Sequence, residues 1–250
     1  MSTATFEPPM TAPADLAEVV RRQGFAVADS SWARSKAGAE DLASFASEWD
    51  DMPLDPHLKD GGHYRRRRHA SFIVDEGSCQ LVPRRAHFQP LEYNALHGGM
   101  ERWFEPMRES LITRPFWSAL LTGLSGICSE IGRASPWYVE AHQFRIDTSE
   151  GIGRPTPEGA HRDGVDFVAL FLITRHAIRG GETRVFDARG PQGIRFTLTE
   201  PWSLLLLDDE RVIHESTPIQ PLRAGESGAA PLGHRDTLVL TYRRNGFQDP

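Results

Sequence analysis

From Trp137 onward the chain breaks into short β-rich runs: "WYVEAHQFRID", "HRDGVDFVALFLITR", "GGETRVFD", "RFTLTE", "WSLLLLDD", "RVIHESTPI" and "RDTLVLTYRR". Turn residues separate them, and no helical pattern of useful length intervenes. Strands this short and this closely spaced pair antiparallel, because parallel pairing needs long crossovers. The series therefore predicts an antiparallel barrel or sandwich.

Upstream the pattern is helical. "DLAEVVRRQG" starts at a capping Asp15, carries apolar residues at helical spacing and stops at Gly24. "AEDLASFASEWDDM" predicts a second amphipathic helix, ended by Pro53 and Pro56. "MRESLITRPFWSALLTGLSGICSEIG" predicts a largely buried helical stretch with a break at Arg114–Pro115. Between these the sequence is mixed, with strand-like pieces such as "HASFIV". Helices first and strands second give an α+β order. The expected organisation is a flexible N-terminal arm over 1–14, rich in Pro, Ala and Thr, then a single domain over 15–250. Within it a helical layer covers mainly 15–133 and a barrel core mainly 137–244.

Composition narrows the function classes. A net charge of −6 argues against a nucleic-acid scaffold. Only two cysteines, Cys79 and Cys128, exclude a disulfide framework and a cysteine zinc site. The first residues lack a signal-peptide pattern and no apolar run is long enough to cross a bilayer, so the expected location is the cytoplasm.

The tripeptide HRD occurs twice, at 161–163 and 234–236. On a strand, residues i and i+2 face the same way, so His161 and Asp163 converge as metal ligands would. In a chain with 10 histidines that spacing alone is weak, and a solvated strand start is the bland reading. His214 adds a third donor. It follows the apolar run "LLLL" and a turn at 208–211, on what reads as the returning strand of a hairpin, sharing a face with Val212 and Ser216. Two neutral imidazoles and a carboxylate are the facial triad of non-haem Fe(II) oxygenases. Zinc fits the same ligands, but no HExxH or equivalent supplies a hydrolytic base.

The second copy presents a different residue. Arg235 and Thr237 share a strand face with Val239 and Thr241. A guanidinium with a hydroxyl two residues on can clamp the far carboxylate of a dicarboxylic cosubstrate such as 2-oxoglutarate. A kinase reading fails, because Val168 and Thr241 stand where the catalytic-loop Asn is required.

Taken together, "HQFRID…PEGAHRDGVDFV…RGGETRVFD…TLTEPWSLLLLDDERVIHESTPIQP…GHRDTLVLTYRR" resembles the 2-oxoglutarate/Fe(II) dioxygenase family. That family includes bacterial hydroxylases of free isoleucine and leucine and a stress- and biofilm-associated branch. The match runs over about 137–244, and "FQPLEYNALHGGMERWFEP" upstream is similar too. The resemblance implies a double-stranded β-helix, a cupin-like jelly-roll barrel flanked by N-terminal helices. It implies Fe(II) on His161, Asp163 and His214, 2-oxoglutarate on Arg235 with help from Thr237, O2 as co-reactant and ascorbate as a useful reductant in assays. Gly180 and Gly181 of "GGETRVFD" are expected to be structural.

The implied reaction is hydroxylation of the side chain of a free L-amino acid, with release of succinate and CO2. The implied partner is thus a small molecule, with neither nucleic acid nor membrane and no indication of oligomeric state. Two rivals stay open at the sequence level: the same chemistry on a peptide, protein or modified amino acid, and a non-catalytic metal-binding cupin-like protein with a stress or regulatory role. Candidate substrate contacts are Gln143 and Arg145, if that face of "HQFRID" points inward, and Asp166 for an ammonium group. In "HYRRRRH" alternation sends Arg65 and Arg67 one way and Arg66 and Arg68 the other, so one pair is able to reach the barrel mouth. His57, His63, His69, His87, His97 and His176 show no ligand-like spacing.

Overall fold

A computed structural model describes residues 6–222 and 232–250. The N-terminal half supplies helices α1 (Leu16–Gln23), α2 (Ser31–Arg34), α3 (Ala39–Ala46), α4 (Glu109–Ile112) and α5 (Pro115–Gly132). Interleaved with them are β1 (Phe25–Ala28), β2 (Arg65–Asp75), β3 (Ser78–Leu81) and the two-residue β4 (Glu105–Pro106). The C-terminal half adds β5 (Trp137–Asp147), β6 (Phe167–His176), β7 (Ile178–Gly180), β8 (Thr183–Asp187) and β9 (Gly193–Phe196). It continues with β10 (Leu204–Asp208), β11 (Val212–Ser216), β12 (Ile219–Pro221) and β13 (His234–Arg243).

The large sheet runs β1-β10-β6-β13-β5-β2-β3, antiparallel along this path, with β4 lying parallel to β2. A smaller sheet, β11-β8-β9, and the pair β12-β7 form the second layer. Val168 and Leu172 of β6 and Leu205 and Leu207 of β10 pack with Val185, Phe196 and Val212 of the smaller sheet. This is the expected jelly roll. Alternation sends the intervening residues the other way: Phe171, Leu206, Leu238, Leu240 and Tyr242 join the helical core with Leu16, Phe45, Trp117, Leu120 and Leu124. On α5 the spacing of Trp117, Leu120, Leu121, Leu124 and Cys128 is that of one buried helical face. No helix among the described residues is long and apolar enough to cross a membrane.

Four expectations need correction. The region 15–133 is not a helical layer alone: its last helix ends at Gly132, but β1, β2 and β3 within it belong to the large sheet. β2 is 11 residues long and begins at the arginines, since Arg65 and Arg67 find a polar interior and Arg66 and Arg68 bond to neighbouring backbone. β10 and β11 are not a hairpin: β10 pairs with β1 and β6, whereas β11 crosses to the small sheet and pairs with β8. The N-terminal arm is tied down where it is described: Thr11 donates to the Val27 carbonyl and the Phe6 carbonyl accepts from Thr197, at 2.7 and 3.0 Å. Residues 1–5 of that arm lie outside the described residues.

α4 and α5 break at Thr113–Arg114, with Pro115 as the first residue of α5, where its missing N–H costs nothing. Gly180 is required by its backbone: φ is 80°, and a Cβ there would lie 2.2 Å from the Pro218 carbonyl oxygen.

Trp49 joins the helical layer to the sheet. It is fully buried, and its indole N–H donates to the carbonyls of Phe144 on β5 and Thr237 on β13 at 3.1 and 3.3 Å. Trp49→Ala should lower unfolding free energy by about 3–5 kcal/mol through lost packing and a cavity. Urea denaturation followed by fluorescence checks this; a loss under about 1 kcal/mol would show that the site collapses to fill the space.

Candidate active site

Three neighbouring strands build one cavity wall through the same alternation. Arg65 and Arg67 of β2, Glu140, His142 and Phe144 of β5, and Arg235, Thr237 and Val239 of β13 line a single cavity. The segment 87–102 adds His87, Gln89, Asn94, His97 and Arg102 to its lining. Its ends are held by reciprocal backbone bonds between His87 and Arg102, both 2.9 Å.

His161, Asp163 and His214 meet in this cavity, each offering a ligand atom within 4.8 Å of the others. His161 and His214 face each other across a one-residue bridge, exchanging backbone bonds of 3.0 and 2.9 Å. Asp163 lies on no strand. Its loop is fixed by the buried Asp209 carboxylate, which accepts the amides of Asp163, Gly164 and Val165 at 3.0, 2.8 and 3.2 Å. Gly164 is needed there, at φ 75° with Tyr93 2.4 Å from where a Cβ would stand. Convergence of the HxD pair thus comes from a clamped loop rather than from strand pleating.

The donor set suits a cation. His161 Nδ1 lies 3.0 Å from the Gly159 carbonyl oxygen, which places the proton on Nδ1 and leaves Nε2 bare. His161 Nε2 and His214 Nε2 stand 3.8 and 3.7 Å from the two Asp163 oxygens, too far for hydrogen bonds. Burial and the neighbouring His161 lower the His214 pKa to about 4, so its imidazole is neutral at physiological pH, as a ligand must be. Asp163 Oδ1 also accepts from Gln89 Nε2 at 3.0 Å, and Gln89 Oε1 accepts from Arg102 and Asn94 at 2.6 and 3.2 Å. Burial and the Asp163 carboxylate push Asp209 up to about 7, a repulsion that a cation at Asp163 would relieve.

At another part of the cavity Arg235 is 3% exposed, and its Nε and Nη2 have no hydrogen-bond partner among the described residues. Burial and the adjacent Arg175 guanidinium lower its pKa to about 10. Arg175 faces it directly across β6 and β13, and its Nη1 is also without a partner. Thr237, buried, lines the same cavity two residues on. Two guanidiniums with unsatisfied donors and a hydroxyl are the donor set for an incoming carboxylate. Arg243 takes no part; it donates to the Gly246 and Phe247 carbonyls.

A second group, His69, His87, Glu140 and His142, also brings ligand-type atoms within 4.8 Å of one another. Sequence spacing did not reveal it, because its members come from β2, a loop and β5; the signal was the register that sets His69 opposite His142. It is a poor metal site. Glu140 is already satisfied by Arg85, His69 and His87 at 3.1, 3.2 and 3.0 Å. Arg67 donates to His142 Nδ1 at 3.0 Å, which puts the His142 proton on Nε2, the other nitrogen a cation would need. Burial, with Arg67 beside it, holds His142 well below the usual histidine range.

The substrate contacts suggested by the sequence are not in the cavity. Gln143 and Arg145 occupy the opposite face of β5. Gln143 Nε2 approaches the Glu48 carbonyl, and Arg145 forms a two-pronged ion pair with Asp236 at 2.7 and 2.8 Å. Asp166 is consumed by Arg244, whose backbone N–H and side chain both bond to it. Of the four arginines, Arg65 and Arg67 point inward, while Arg66 and Arg68 bond to the carbonyls of Met52, Asp51 and Pro106.

The sequence model of the 2OG-Fe dioxygenase family matches residues 46–241. L-isoleucine-4-hydroxylase of Bacillus thuringiensis is 27% identical over 191 residues, 72% of this chain and 75% of that protein. The crystal structure of a bsmA homolog from Methylobium petroleophilum PM1 superposes with a TM-score of 0.88 at 51% identity, covering 100% of both chains. That of IDO from Bacillus thuringiensis gives 0.75 at 18% identity, covering 98% of this chain and 99% of that one.

Two outcomes follow from the site. Gln89→Leu removes a hydrogen bond to Asp163 and should weaken divalent-metal affinity about 10–100-fold, read by competition with a chromogenic chelator. An unchanged affinity would show that Gln89 does not orient the carboxylate. His87 is held neutral, its pKa lowered by burial from 6.5 to about 4. Between those values the unfolded chain binds a proton that the folded one does not, so stability falls as pH drops through that window. Melting temperature should decline from pH 7 to 5, and less steeply in His87→Asn; parallel profiles would contradict the assignment.

Proposed function

Since the chain belongs to the 2OG-Fe dioxygenase family, we propose that it hydroxylates the side chain of a free L-amino acid, with Fe(II) on His161, Asp163 and His214 and 2-oxoglutarate on Arg235 and Thr237. It is an enzyme of the Fe(II)-, 2-oxoglutarate- and O2-dependent class. When bound, iron with 2-oxoglutarate and O2 supplies an oxidant that converts a C–H to a C–OH bond, with succinate and CO2 as coproducts.

One observation carries the assignment of residues: the unpaired Arg235 guanidinium, buried in the cavity that also holds the three clustered donors. A buried cation without a counter-ion costs several kcal/mol, so its retention makes sense if an anionic ligand completes it. Gly181 supports the same reading: its bare Cα leaves room beside Arg175 Nη1 and Arg235 Cδ, 3.0 and 3.6 Å from where a Cβ would be.

The chain's own residues then divide the work. Asp209 and Gln89 hold Asp163 in one orientation. The Gly159 carbonyl fixes the His161 tautomer. Val165, Val168, Leu205 and Leu207 supply apolar lining that keeps water from the reacting bond. A small amino acid as substrate is supported by the named activity of the Bacillus thuringiensis relative. A cytoplasmic setting is supported by the free thiols of Cys79 and Cys128.

Succinate release should depend on Fe(II) and on one or more free L-amino acids from a panel, with ascorbate present. Arg235→Ala should raise the half-saturating 2-oxoglutarate concentration about 100-fold or more, and Thr237→Ala much less, because only the former removes charge. Equal values for wild type and Arg235→Ala would place the cosubstrate elsewhere. Turnover stimulated by a peptide or an acylated amino acid, but by no free amino acid, would replace the small-molecule reading with the macromolecular or modified-substrate one.

A further inference from the structure

The ionised groups of the cavity can be paired off, and the remainder is informative. Arg65 is matched by Asp55 at 2.7 Å, both deeply buried. Glu140 is matched by Arg85, His69 and His87. Arg235 belongs to the proposed cosubstrate seat. Asp163 belongs to the proposed metal seat, which leaves three groups among the described residues: Arg67, Arg102 and Glu158.

Arg67 is 4% exposed and makes no ion pair among the described residues. Its guanidinium lies between two rings, 4.0 Å from the centre of Phe104 and 4.6 Å from that of Phe144. Its Nη2 donates to His142, and its Nε has no partner among the described residues. Arg102, 2% exposed, donates to Gln89 and likewise keeps an unpartnered Nε. Aromatic faces and neutral acceptors offset only part of the cost of burying two cations. On the acidic side, Glu158 Oε2 is buried without a partner among the described residues, and its Oε1 stands 3.7 Å from His161 Nε2. Glu158 thus brings an unsatisfied carboxylate beside the clustered ligands, close enough to act electrostatically on Arg102.

We infer that Arg67 and Arg102 seat the α-carboxylate of the substrate and Glu158 its α-ammonium group, so that this cavity selects a zwitterion by its two charged ends. The inference takes the free amino acid of the proposed function and assigns the residues that recognise it. Two guanidiniums suit one carboxylate, since their planar donors can share its two oxygens. An acid on the side of the metal-type ligands rejects a second anionic group and accepts an ammonium. The side chain of the substrate is then left to the apolar lining of Val165 and Leu207.

The test is equilibrium binding, by calorimetry, to anaerobic protein loaded with Fe(II) and 2-oxoglutarate. The probes are L-isoleucine, L-leucine and L-methionine, their carboxamides and their N-acetyl derivatives. In the wild type the carboxamide and the N-acetyl form of whichever amino acid binds should each be weaker by about 100-fold, the scale of one unpaired buried charge. Arg67→Lys and Arg102→Lys, which keep the charge but lose the planar fork, should weaken the free acid by about 10-fold or more. Glu158→Gln should weaken the free amino acid but not its N-acetyl form. A carboxamide that binds within about 3-fold of its acid overturns the carboxylate seat while leaving the amino-acid reading intact, and needs no variant to interpret. If an N-acetyl form binds more tightly than any free amino acid, the ammonium seat and the free-amino-acid reading both fall.

Discussion

The structure depends on the two-sided alternation of its large sheet. Along β5, Trp137, Val139 and Ala141 go to the helical core, while Glu140, His142 and Phe144 go to the cavity. Along β13, Leu238, Leu240 and Tyr242 go one way and Arg235, Thr237 and Val239 the other. Both faces are buried, but only one is apolar. The helices, anchored by Trp49 and by the packing of α5, hold the sheet firmly enough for the other face to carry charges that contribute no hydrophobic stabilisation. That arrangement lets a small protein present buried arginines and histidines to a ligand without losing its core.

Within the cavity, order comes from acceptors and donors one step removed from the clustered metal-type ligands. Asp209 clamps three consecutive amides, Gln89 steadies Asp163, and Arg102 and Asn94 steady Gln89. The chain Arg102–Gln89–Asp163 places a cavity-lining guanidinium two hydrogen bonds from a clustered carboxylate. Such a connection ties occupancy at one end of the cavity to geometry at the other.

Much of this was legible in the sequence. The strand series after Trp137 and the shared face of Arg235 and Thr237 follow from short-range periodicity, whereas His161, Asp163 and His214, although named from the sequence, converge through a loop clamped by Asp209 and a strand paired with β8. What was not legible has a common cause. Alternation divides β5 into two faces but does not say which one meets the cavity, because this interior is polar; the condition attached to Gln143 and Arg145 is not met, and Glu140, His142 and Phe144 face the cavity instead. The alternation of the four arginines was legible, but which pair faces the cavity was not, because four identical residues carry no polarity difference between the two faces of β2. The crossing of β11 to the smaller sheet depends on pairing with β8, which no local pattern encodes. Glu158 and Arg102 lie in irregular segments, where spacing carries no directional information.

The central claim is that one cavity holds a divalent metal on His161, Asp163 and His214 and a dicarboxylate on Arg235. Anomalous diffraction from anaerobic crystals grown with Mn(II) and 2-oxoglutarate tests it most directly, because it distinguishes the two histidine-rich clusters by position. The account predicts one metal peak among His161, Asp163 and His214, with the ligand's far carboxylate on Arg235. A peak among His69, His87, Glu140 and His142, with the first cluster empty, would contradict it.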